Sequence, residues 1–95
     1  RPVIIVQNNT GNLYSPTTII VPVTARKRKK ALPTHIKVKG AGLPKKSIAL
    51  LEQLRTIDKS RLREKIGEIT RTSLNKIDKG LLISLGCFED RRFKK

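Results

Sequence analysis

Apolar and polar positions alternate differently in the two halves of the chain. Val3-Ile4-Ile5-Val6 is a β-branched run closed by Asn8-Asn9-Thr10-Gly11-Asn12, whose Asn and Gly residues tolerate left-handed backbone and mark a turn. Thr17 to Thr24 is a second β-branched run, reached through Ser15-Pro16. Pro22 inside it donates nothing to a ladder, which predicts an edge or a bulge there. Thr34-His35-Ile36-Lys37-Val38-Lys39 alternates at period two, as a half-buried strand with one wet, basic face does. Its expected partner is Ser47 to Gln53, entered through the turn Gly40-Ala41-Gly42-Leu43-Pro44. Four short strands joined by turns predict a small antiparallel barrel or strongly bent sheet.

After Gln53 the period changes. Asp58 can cap a short helix over Lys59-Ser60-Arg61-Leu62-Arg63-Glu64-Lys65-Ile66 that ends at Gly67. Leu74, Ile77, Leu81, Leu85 and Phe88 then recur at helical spacing, one apolar stripe on a helix of about four turns. Gly80 within it costs about 1 kcal/mol relative to alanine. The expected class is therefore mainly β with α (α+β), and 95 residues suffice for one small core.

Charge sharpens this picture. The formal net charge is +15, and residues 26 to 46 hold nine Lys or Arg and no acid, dominated by Arg26, Lys27, Arg28, Lys29 and Lys30. A polyanionic partner follows, with that run either a solvated loop or a phosphate-binding one. One cysteine, Cys87, and one histidine, His35, cannot form an internal disulfide or a nitrogen-sulfur zinc site, and a reduced, cytoplasmic setting is expected. The longest apolar stretch, Ile19 to Val23, falls far short of the roughly 18 residues of a spanning helix. Gly40-Ala41-Gly42 lacks the rest of a nucleotide-binding loop, and the acids lack metal-cluster spacing. Tyr14, Phe88 and Phe93 are the only aromatics, too few for base-stacking RNA platforms.

The polar residues left along the strands are Arg1, Thr24, His35, Glu52 and Gln53. They sit in segments that closely resemble the MazF/PemK family of toxin endoribonucleases: Arg1-Pro2-Val3-Ile4-Ile5-Val6-Gln7-Asn8-Asn9, Gly11-Asn12, Ser15-Pro16-Thr17, Pro22-Val23-Thr24, Leu32-Pro33-Thr34-His35, and Leu50 through Leu62. The resemblance implies an SH3-like barrel of the plasmid-maintenance toxin type with a short helix and a C-terminal helix. It further implies a homodimer that cleaves single-stranded RNA at short sequences without a metal or other cofactor, silenced by a cognate antitoxin. Arg1 and Thr24 match the catalytic pair, and His35, Glu52 and Gln53 match positions lining the RNA groove. Arg26, Lys27 and Arg28 join them as RNA-binding candidates because that run is more basic than is usual for the family. Family members carry a first strand and a flexible loop before the Arg-Pro-Val segment, so the chain reads as a single toxin-like domain, residues 1–95, lacking that strand.

Metal-free cleavage uses the ribose 2′-hydroxyl as nucleophile, which DNA lacks. Arg1 suits charge stabilisation at phosphorus, since its planar fork fits phosphate oxygens, but it is a poor base. Thr24 suits a hydrogen bond to a phosphate oxygen or help to the leaving group. His35 is the natural proton shuttle if the fold brings it within roughly 3 Å of the reacting oxygens. An acidic, disordered antitoxin tail is the expected inhibitor of so basic a surface. Three other readings stay open: a noncatalytic RNA-binding or ribosome-associated protein, a barrel that poisons DNA gyrase, and a degenerate toxin.

Overall fold

The computed structural model describes residues 2–26, 30–40 and 42–89. Five strands, β1 (Val3–Ile5), β2 (Thr17–Thr24), β3 (His35–Lys37), β4 (Ile48–Leu50) and β5 (Arg55–Asp58), form one antiparallel sheet, with a helix α1 (Asn9–Tyr14) between β1 and β2 and a C-terminal helix α2 (Arg71–Ser84). The α+β class is as expected. Among the described residues no ladder closes the sheet into a complete barrel.

β2 organises the sheet because it is the longest β-branched run. On one side it pairs with β1, from Ile20 to Pro22. On the other its first half, Thr17 to Ile20, pairs with β5, and its last residues, Val23 and Thr24, pair with β4. The Val23 N–H donates to Pro2 C=O at 3.1 Å, toward β1. Backbone donors alternate sides along a strand, so the nitrogen of Pro22 faces the seam where β2 leaves β5 and joins β4. The expected irregularity at Pro22 is thus a change of partner.

Two turns differ from expectation in informative ways. The Asn8–Asn12 segment does turn the chain, but it does so by starting α1, with the Asn8 side chain accepting from the Gly11 N–H at 2.8 Å. Asn12 then ties the helix to the segment that leaves β1 and to β2, donating to Gln7 C=O at 2.9 Å and accepting from the Thr18 hydroxyl at 2.7 Å. The helix expected over 59–66 is a single 3-10 turn, Lys59–Arg61, and the Asp58 side chain does not cap it. Residues 63–68 are exposed throughout, so no buried face rewards further helical winding. The chain instead runs on to an isolated bridge between Ile69 and Gly40. β5, with only Ile57 partly covered, had no alternation to announce it.

α2 lies on the face of the sheet that carries Ile4, Val21, Val23 and Ala49, and Ile77, Leu51 and Val38 complete the core. Its closest approach is made by small residues. Ser73 Oγ accepts from Lys39 N–H at 2.9 Å, Ser84 Oγ donates to Leu51 C=O at 3.0 Å, and Gly80 is buried between them. The apolar stripe is shorter than its spacing suggested. Leu74, Ile77 and Leu81 are partly or fully buried, but α2 stops at Ser84, Gly86 takes a left-handed φ of 65°, and Leu85 and Phe88 are exposed, Phe88 at 96%. Phe88 is not part of the core. No described helix is long and apolar enough to cross a membrane.

Candidate active site

The face of the sheet opposite α2 carries the candidate residues. Thr24 ends β2 half-buried, and its Oγ1 accepts from the Arg26 N–H at 3.1 Å, a local bond that turns the chain off the strand. A cleft of about 280 Å³ opens beside it, walled by Pro2, Thr24, Arg26, Ser47, Leu50 and Gln53 among others. Three of the expected residues therefore share one hollow, which brings Gln53 to the neighbouring pair Thr24 and Arg26 from more than two dozen positions away. Arg1, Lys27 and Arg28 lie outside the described residues. Pro2, which follows Arg1 in the chain, is in the cleft wall. A roomier hollow of about 710 Å³ along Ser60–Arg63 contains none of the candidates.

His35 and Glu52 form a second cluster. His35 Nε2 lies 3.0 Å from one Glu52 carboxylate oxygen, and the Thr34 hydroxyl donates to the other at 3.0 Å. The Leu32 N–H donates to His35 Nδ1 at 3.2 Å, which assigns the ring proton of the neutral form to Nε2, donating to Glu52. Both ring nitrogens are thus engaged within the protein, and the side chain is only 9% exposed against 32% for Glu52. Burial alone pushes the Glu52 carboxyl up. Hydrogen bonds from its own backbone N–H, from His35 and from Thr34, with the attraction of the His35 ring, outweigh this and hold it below the usual carboxylate range.

The cluster fixes the loop before β3 to the 3-10 turn Leu51–Gln53 that follows β4, and so sets where Gln53 projects. His35 acts here as a strut whose nitrogens are already partnered, a different position from that of a proton shuttle exposed to a reacting phosphate. Thr34 is the member of this cluster that polarity patterns passed over. Its place between the apolar Leu32-Pro33 step and the histidine was the available signal.

The description PemK-like, MazF-like toxin of type II toxin-antitoxin system belongs to a family model that matches residues 1–85. The chain belongs to this family. Solved structures agree with the MazF-like fold. An endoribonuclease from a mycobacterial species, in complex with its cognate antitoxin, superposes with a TM-score of 0.79 at 29% identity, covering 92% of this chain and 82% of its own. A further mycobacterial endoribonuclease gives 0.80 at 27% identity, covering 95% and 84%. A chain from the MazE-MazF complex of Deinococcus radiodurans gives 0.74 at 25% identity, covering 90% and 81%.

Proposed function

We propose that this MazF-like toxin is an endoribonuclease that cuts single-stranded RNA by attack of a ribose 2′-hydroxyl on the adjoining phosphate, without a metal. The convergence of Thr24, Arg26 and Gln53 in one cleft beside Pro2 carries this reading. The 2′-oxygen forms a bond to phosphorus as the bond from phosphorus to the 5′-oxygen breaks. The products are a 2′,3′-cyclic phosphate and a 5′-hydroxyl, the proton lost by the nucleophile being balanced by the one the leaving oxygen gains. Arg1 supplies a guanidinium whose hydrogen bonds strengthen as charge builds on the phosphate. The Thr24 oxygen accepts from Arg26 N–H, which leaves its own O–H free to donate to a phosphate oxygen. Arg26 and Gln53 bind flanking RNA, with Lys27 and Arg28 extending the basic margin. His35 and Glu52 support the Gln53 turn.

Neighbours of the same fold in complex with an antitoxin support an antitoxin partner for this chain; in this reading the toxin is a homodimer and the antitoxin's acidic, disordered tail covers the cleft. The decisive experiment incubates the protein with single-stranded RNA in excess chelator and identifies the ends produced. Site-specific cuts ending in cyclic phosphate are expected, lost in Arg1→Ala and Thr24→Ala and retained in Thr24→Ser, with RNA affinity in Thr24→Ala close to that of the native protein. RNA binding without cleavage would leave a noncatalytic RNA-binding protein, and full activity of Thr24→Ala would reject the assignment.

A further inference from the structure

The sheet register places one more cation on the cleft side. Thr24 pairs with Ile48 across β2 and β4, and Lys37 pairs with the same Ile48 across β3 and β4. Directly opposed residues of antiparallel strands project to the same face, so Thr24, Ile48 and Lys37 form one row across the sheet. The next row along, Val23, Ala49 and Ile36, faces the opposite way, into the core under α2. Lys37 is exposed and has no ion-pair partner among the described residues. The acid beside β3, Glu52, lies at the other end of the strand and is committed to His35 and Thr34.

Two strand spacings separate Thr24 from Lys37, roughly 10 Å between backbones. That separation is longer than one nucleotide step of about 3.4 Å per strand, so a strand laid along this row brings a second phosphate within reach of Lys37. We propose that Lys37 anchors a backbone phosphate two or three nucleotides away and draws single-stranded RNA across β4, at right angles to the strands. The sheet surface it crosses at Ile48 is uncharged, so the two ends of this row grip the strand while its middle lets it lie flat. Lys37 is thus a positioning residue that binds substrate away from the bond broken. This inference rests on the endoribonuclease reading.

The test separates the two. In a non-cleaving Thr24→Ala background, affinity for a single-stranded RNA of a dozen nucleotides is measured across a salt series. Lys37→Gln should reduce the salt dependence by about 0.7 in log K per log salt, the loss of one phosphate contact on a single strand. Lys37→Arg should keep the native slope, and Lys76→Gln, on α2, should leave it unchanged although it removes the same formal charge. In the active protein, Lys37→Gln should raise KM with kcat preserved on the long RNA and leave a dinucleotide substrate unaffected. A Lys37→Gln slope equal to that of Lys76→Gln overturns the anchor, as does equal loss on the dinucleotide. Failure of the native protein to cut any RNA overturns the proposed function instead, and the salt series then still decides whether Lys37 contacts a phosphate.

Discussion

Replacing Gly80 by alanine sets two magnitudes against each other. Within a helix, alanine is favoured over glycine by about 1 kcal/mol, so on propensity alone the change is stabilising. In this fold a Cβ at position 80 would stand 2.3 Å from Leu51 Cδ1 and 3.2 and 3.3 Å from Ile36 Cγ1 and Cδ1. Leu51 is fully buried, so its methyl has no solvent to retreat into. Inserting a carbon into such a site costs about 1–3 kcal/mol. The net expectation is a loss of about 1 kcal/mol, or a Tm lowered by about 4–8 °C for a domain of this size. Urea unfolding followed by circular dichroism measures it directly. The same substitution in a Leu51→Ala background, where the obstructing methyl is gone, should reverse sign and stabilise by up to about 1 kcal/mol. Stabilisation by Gly80→Ala in the native background, or the same loss in both backgrounds, would refute the packing argument.

Glu52 makes stability depend on acidity. Its carboxyl is held lower in the folded protein than in the unfolded chain, so the contribution is complete above the unfolded value and is lost as pH falls through the native one. Urea midpoints compared at neutral and acid pH should fall less steeply for Glu52→Gln than for the native protein, and parallel profiles would contradict the His35–Glu52–Thr34 cluster. Thr70 caps α2 by accepting from the Ser73 N–H at 3.2 Å. Thr70→Ala should cost about 1 kcal/mol, and Thr70→Ser should recover most of it in the same thermal scan.

Where single residues dictate local structure, the fold could be read from the chain. Thr17 to Thr24 is a strand over its full predicted length because its β-branched side chains meet neighbours on both faces. The Gly40–Pro44 turn also forms, with Gly42 at φ 82° and Leu43 N–H donating to Gly40 C=O at 3.2 Å. β5 was illegible because Arg55, Thr56 and Asp58 are exposed and the strand exists through its ladder to β2. The face of α2 was read from its large apolar residues, whereas contact is closest at Ser73, Gly80 and Ser84, whose value lies in their lack of bulk. At the site, resemblance brought Thr24, His35, Glu52 and Gln53 into view one by one. The link from His35 to Glu52 spans 17 residues and depends on the β3–β4 ladder, which no local pattern reveals.

The proline at the seam of β2 shapes what a ligand encounters there. Any other L-amino acid at position 22 would add an amide hydrogen on the side of β2 where its pairing with β5 ends and its pairing with β4 begins. Pro22 also forms part of the cleft wall. Proline leaves that stretch of wall without an amide donor, so the phosphate of the proposed substrate would take its hydrogen bonds from side chains of the same cleft, Thr24, Arg26 and Gln53.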